Sequence, residues 1–491
     1  MKKSETLARR LTLFDATMIV MGGIIGAGIF SNPYVVAQLV HSTSLILGVW
    51  IAGGLIALAG AFIYAELSSQ VSETGGQYVY LRDAMHPVVG FVYGWSMLFV
   101  IQTGAMAAVA LIFANHVFAV AGVPASDWSA ALLAASALIL LTIVNCIGVR
   151  AGTLTQNTFM ILKLVAIAAL VVIGLALATP ASAEVSAVAP GGSTWQALIA
   201  FGAALIPAQF AYGGWQTSCY VAGEVREPRR TLPRALLIGV VGVIIVYLSV
   251  NFVCVYVLGP EMLARTKTPA SAIMGLALGD KGARFIAAGI AISTIGFLSQ
   301  SMLTAPRVYF AMAEDGLFFK RLASLNRSRV PAFAIALQGG LAAAIALVGS
   351  RYEQILNYAV SVDVVSFGMT AACVFVFRRA RNRAVIGSPS PHAERGIGGE
   401  VGDGSNPAPN PSPRAGRGEP APAHGKVFRI PGHPFTTLFF IGACAVITFS
   451  MIYKYPRNSA ISFGIMFLGV PAYFLWTRRR VSTGTGSDRI N

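Results

Sequence analysis

Two glycine-rich interruptions lie inside strongly apolar runs at matching places in the two halves of the sequence: Gly26-Ala27-Gly28 within "VMGGIIGAGIFSNP" and Gly213-Gly214 within "FAYGGW". A helix that opens inside a membrane bares N–H and C=O groups, and it persists only where protein, water or a ligand satisfies them. Paired breaks of this kind point to a transporter binding site. The chemistry they offer suits a free amino acid, whose carboxylate and ammonium are both costly to dehydrate without partners. Gly26, Ala27 and Gly28, at the start of the outer half of the first span, offer unpaired N–H groups and a positive dipole end to the carboxylate. The carbonyls of Ile24, Ile25, Phe210 and Ala211, which end the half-helices before each break, suit the ammonium. Small residues belong there because a Cβ would hold the ligand away from the backbone.

Lys163, in "TQNTFMILKLVAIAAL", is the most informative ionisable side chain. An ammonium inside a span is costly and marks a functional site by default. It lies about eight residues from the start of its span, roughly 12 Å at 1.5 Å per residue, so snorkelling to the interface is the competing reading. Burial favours a neutral amine, which makes Lys163 a candidate for coupling transport to protons. Asp363, in "NYAVSVDVVSFG", can line an outer gate, bind a cationic side chain or serve as a hydrogen-bonded structural carboxylate. Glu66 and Asp15 lie close to span ends, where capping or pairing with loop arginines accounts for them. Ser293 and Thr294 can face a pocket or bond within their own helix.

The elements that must position these residues are membrane spans. Only 11% of the 491 residues are charged and 55% are hydrophobic, far from the roughly 25% charged of a soluble domain. Twelve apolar runs between residues 14 and 477 reach the length of about 20 residues needed to cross a bilayer. With the N-terminus cytoplasmic, only seven of the 36 Lys and Arg (Arg265, Lys267, Lys281, Arg284, Arg351, Lys454, Arg457) fall outside, which places both termini in the cytoplasm. The net charge of +16 therefore reflects topology, with no nucleic-acid partner expected. The "MKKSETLARR" start runs into a full-length span without a cleavage site, so the first span is expected to stay in the membrane.

Spans one to five and six to ten form two candidate repeats. An odd number of spans per repeat inverts the second copy, so both breaks fall in corresponding spans. The segments read as a cytoplasmic N-terminus at 1–13, a ten-helix transport core at 14–377, a cytoplasmic loop at 378–434, two further spans at 435–477 and a cytoplasmic tail at 478–491. The loop carries a Pro-, Gly- and Ser-rich insert expected to be disordered.

Four motifs in order, "GGIIGAGIF", "FAYGGW", "GEVREPRRTLPRA" and "APRVYFAMAEDGLF", resemble the amino acid–polyamine–organocation (APC) superfamily of permeases, especially its L-type and bacterial members. The resemblance implies an all-α membrane protein of twelve transmembrane helices. These form a LeuT-like 5+5 inverted repeat with discontinuous helices 1 and 6, plus two C-terminal helices. It makes Ile25, Gly26, Ala27 and Gly28 the carboxylate cradle, and Phe210, Ala211, Tyr212 and Gly213 the unwound part of span six. Phe210 matches the family's aromatic gate over the substrate; a core or lipid-facing aromatic is the alternative, and Tyr212 and Trp215 share that ambiguity. Lys163 matches a lysine whose ammonium occupies the place where sodium-coupled relatives hold a sodium ion and contacts the first break.

The implied activity is sodium-independent secondary transport of L-amino acids, neutral ones first because neither break holds an acidic residue, in a bacterial inner membrane, by proton symport or exchange. Asp363 keeps basic amino acids and polyamines as the alternative. An enzyme is not expected, since no H-E-x-x-H, G-x-S-x-G or paired catalytic carboxylates occur, and His116 reads as interfacial. A non-transporting sensor would need a signalling domain or a structured tail. The five cysteines show no C-x-x-C spacing and no histidine partners, so no metal and no cofactor is expected. No obligate protein partner is implied; the expected partners are the amino acid, lipid and protons.

Overall fold

The computed structural model describes residues 7, 9–178, 194–348, 352–386, 427–454 and 456–484. Apart from one isolated bridge between Leu11 and Val225, the regular structure among them is helical. In chain order the helices are α1 (Leu13–Ile24), α2 (Gly28–Val40), α3 (Thr43–Gln70), α4 (Gln77–Ala84) and α5 (Pro87–Ser96). A π-helical turn, Met97–Gln102, carries α5 into α6 (Thr103–Ala121), followed by α7 (Asp127–Ile147) and α8 (Val149–Leu177). Then come α9 (Thr194–Tyr212), a 3-10 stretch (Trp215–Glu224), α10 (Pro228–Arg265), α11 (Pro269–Thr304) and α12 (Pro306–Glu314). The last are α13 (Ala332–Val348), α14 (Tyr352–Ile386), α15 (Phe435–Lys454) and α16 (Pro456–Gly484).

Nine helical runs among the described residues are long and apolar enough to cross a membrane, or ten when the bent α1–α2 pair counts as one. The remaining two of the twelve expected spans correspond to α13, apolar but 17 residues long, and to α14. The insert at 387–426 lies outside the described residues. Helix α14 runs past the expected loop start at 378 to Ile386, because "RRARNRA" is built of straight-chain and Ala residues that favour helix. Likewise α16 extends to Gly484, beyond the expected end of the last span.

Helix starts follow local chemistry. Thr12 caps α1 through a reciprocal capping box with Asp15, which satisfies otherwise orphaned N–H groups. Proline opens α5, α10, α11 and α12 at the first turn, where its missing N–H costs nothing. Small residues set the close packing that brings α11 against α8. A Cβ on Gly289 would come within 2.9 Å of the Ala166 Cβ, and one on Gly296 within 2.9 Å of Phe159 and 3.4 Å of Lys163 Nζ. Gly296 therefore leaves the space through which the Lys163 side chain reaches the first break.

Candidate functional site

The first break is the three-residue step from Ile24 to Gly28, where α1 and α2 meet at 41°. Ile25 leaves the helix with φ −77° and ψ 91°. The carbonyls of three successive residues there are taken by side chains from three other helices. Tyr247 of α10 places its hydroxyl 3.0 Å from the Ile24 oxygen, Lys163 of α8 donates Nζ to the Ile25 oxygen at 2.6 Å, and Ser293 of α11 donates to the Gly26 oxygen at 3.2 Å. The first N–H groups of α2 have no partner inside that helix.

The second break falls at Gly213-Gly214, with Gly214 at φ +107°, a conformation that L side chains rarely adopt. Helix α9 stays helical through Phe210, Ala211 and Tyr212, so the unwinding begins at Gly213, later than the resemblance implies. Thr217 closes the far side by donating its hydroxyl to the Gly214 oxygen at 2.8 Å. The breaks lie back to back: a Cβ on Gly23 would stand 2.6 Å from the Gly214 oxygen, and one on Gly214 only 2.1 Å from the Gly23 oxygen. The Tyr247 hydroxyl also sits 3.0 Å from the Ala211 oxygen, so a single group touches both half-helix ends. Asn32 of α2 donates to the Pro207 oxygen of α9 at 2.7 Å and ties the segments flanking the breaks together.

A cavity of about 120 Å³ opens against both breaks. One water needs on the order of 10–15 Å³ by the same measure, so there is room for a small solute. Ile24, Gly26, Ala27, Gly28, Phe210, Ala211, Gly213 and Asp363 all line it.

A family model described as "Amino acid permease" matches residues 11–475. The chain belongs to the amino acid permease family. It is similar to the "Large neutral amino acids transporter small subunit 2" of Mus musculus, 33% identical over 384 residues that cover 76% of this chain and 71% of the relative. It is also similar to the "Serine/threonine exchanger SteT" of Bacillus subtilis (strain 168), 29% identical over 385 residues covering 76% and 84%. The "b(0,+)-type amino acid transporter 1" of Mus musculus is 28% identical over 385 residues, covering 77% and 78%. The permease is thus a multi-pass membrane transporter of amino acids in the APC superfamily, and not an enzyme.

Six candidate residues of the permease, Ile25, Lys163, Tyr212, Trp215, Ser293 and Thr294, lie outside the cavity lining. Ile25 is fully buried and its carbonyl is engaged by Lys163. Lys163 itself stands behind the break, buried, and does not snorkel. Tyr212 packs its ring on Trp50 and Tyr247 and donates to the Trp50 oxygen at 3.1 Å. Trp215 is a core aromatic, edge-on to Tyr64 at 4.7 Å and stacked on Phe367 at 5.3 Å. Thr294 bonds only within its own helix, to the Ile290 and Ala291 oxygens.

Sequence reasoning passed over the amides. Gln102, Gln209, Gln216 and Gln300 line the cavity of the permease, and the Oε1 atoms of Gln216 and Gln300 are buried without a hydrogen-bond partner. Gln300 donates Nε2 to Thr217 Oγ1 at 2.7 Å, linking α11 to the second break. It also passed over the ion pair of Arg307 with Glu224, 2.7 Å apart with both side chains fully buried. The Glu224 oxygen accepts the Arg10 and Leu11 N–H groups at 2.8 and 2.9 Å, so the chain before α1 is strapped to the end of the 3-10 stretch. Glu66, read as a partner of loop arginines, is paired in that way: Arg378 donates to both its oxygens.

Proposed function

We propose that the permease moves L-amino acids, neutral ones among them, across a bacterial inner membrane by alternating access, with both termini in the cytoplasm. The α-carboxylate binds the N–H groups at Gly26, Ala27 and Gly28, and the ammonium binds the carbonyls of Ile24, Phe210 and Ala211. Ile25 plays a different part, because its carbonyl is already bonded to Lys163. Phe210, half-buried at the cavity wall, closes over the substrate as the gate. The observation that carries the reading is the cavity held between two back-to-back helix breaks, where backbone dipoles serve both ends of a zwitterion. The printed names of the relatives, large neutral amino acids and serine/threonine exchange among them, fit that choice of substrate.

The transport core is a LeuT-like inverted repeat in a chain of twelve spans, α13 and α14 supplying the ninth and tenth. Sodium is not required, since the Lys163 ammonium supplies the positive charge beside the first break. Transport proceeds by exchange or by proton symport, with Lys163 as the coupling residue in the second case. Reconstituted permease loaded with unlabelled leucine, serine, arginine or putrescine tests the reading: labelled leucine should accumulate against internal leucine or serine without sodium. A pH jump with and without internal substrate separates symport from exchange. Absence of any amino acid counterflow would refute the proposal.

A further inference from the structure

Asp363 of α14 is the only ionisable side chain lining the cavity among the described residues. Its Oδ1 is sealed from solvent and has no hydrogen-bond partner. Among the described residues it belongs to no ion pair. The ionisable groups around it are the hydroxyls of Tyr64, Tyr93 and Tyr220 and the thiol of Cys444, none of them a cation. Lys163 provides no counter-ion, because its Nζ is spent on the Ile25 oxygen behind the first break. A buried carboxylate in this state is costly until something supplies N–H donors to it.

The rest of the wall indicates what that is. Met97, Ile101, Phe297, Val364 and Phe367 also line the cavity and offer apolar surface that suits a methylene chain. In the proposed reading the α-ammonium of the substrate is met by backbone carbonyls at the breaks. The amides of Gln102, Gln209, Gln216 and Gln300 and the hydroxyls of Thr217 and Ser301 share the lining but carry no charge, so an apolar stretch with a single carboxylate complements a side chain built the same way, with a cationic tip.

Resting on the reading of the site as an amino acid site, we infer that Asp363 is a specificity-determining residue that receives the side-chain ammonium of a diamino acid such as lysine or ornithine, extending the substrate range beyond neutral amino acids.

Lysine and norleucine share a straight side chain and differ by the terminal amine, so their competition isolates this contact. In proteoliposomes, lysine should drive counterflow of labelled norleucine by wild-type protein, and ornithine should outcompete norvaline. In the Asp363→Asn variant the lysine-to-norleucine preference should fall by about ten- to a hundredfold, the worth of a charge-assisted contact. An unchanged preference in that variant would mark Asp363 as a protonated or structural carboxyl and overturn the inference. Should the variant fail to fold, the wild-type series decides alone: norleucine and norvaline moving while lysine and ornithine neither move nor compete would also overturn it. Failure of wild type to move any of the four would remove the parent reading as well.

Discussion

The first break borrows its hydrogen bonds and the second makes most of its own. Between α1 and α2 the carbonyls of Ile24, Ile25 and Gly26 are met by Tyr247, Lys163 and Ser293, side chains of α10, α8 and α11. At Gly213-Gly214 the partners are local: Gly213 N–H to the Phe210 oxygen at 3.3 Å and the Thr217 hydroxyl to the Gly214 oxygen. The first break is an α-helix opened by its neighbours, whereas the second is set by the left-handed backbone conformation of Gly214. The difference divides the work on a ligand. Carbonyls already accepting from protein can only share a second lone pair. That holds for Ile24, Ile25 and Gly26 and equally for Phe210 and Ala211, which meet the Gly213 N–H and the Tyr247 hydroxyl, so the first break is best used through its N–H end and an ammonium shares second lone pairs.

The sharpest way to break this contrast is Gly214→Ala. The φ of +107° and a Cβ 2.1 Å from the Gly23 oxygen combine left-handed strain with overpacking, about 3 kcal/mol or more. Counterflow should fall to background and the melting temperature in detergent should drop; a fully active Ala variant would show that the left-handed conformation does not set the second break. Lys163→Ala should lower counterflow more than about tenfold by stripping the Ile25 oxygen of a charged donor. Its melting temperature should move less than that of Gly214→Ala, since a buried charge is also removed. Unchanged flux would mean that the first break does not depend on borrowed donors, and unchanged proton-driven uptake would remove Lys163 from coupling. Tyr247→Phe deletes the one hydroxyl shared by both breaks, worth about 1 kcal/mol, and should cost roughly fivefold in counterflow rate. Ser293→Ala, which loses a neutral bond at 3.2 Å, should change the rate by no more than about twofold.

The breaks were legible because glycine strings interrupt apolar runs, and Lys163 because a charge inside a span has few reasons to be there. What Lys163 touches was not legible from the residues alone. The resemblance brings it to the first break, but the atom it takes there, the Ile25 oxygen 138 positions away, is one that the residues alone assign to the substrate. The cavity amides were invisible for a related reason. Gln102, Gln209, Gln216 and Gln300 sit in three separate spans and read singly as ordinary polar residues, becoming one lining only when the spans converge. Tyr212 and Trp215 carried two readings because an aromatic beside a break can face a ligand or the core. Trp50 and Tyr247 hold the first in the core, and Tyr64 and Phe367 the second.

Glu66 gathers more than Arg378: the Ile430 N–H also donates to its Oε2, at 2.8 Å. Arg378, within the last turns of α14, and Ile430, just before α15, are therefore held at a single carboxylate, so two points on either side of the connection between these helices are fixed close together. The closure entropy of such a connection grows only logarithmically, each doubling costing about 0.6 kcal/mol. Additions between these two anchor points are thermodynamically cheap, which makes this the natural place in the chain to splice in a reporter or an affinity tag.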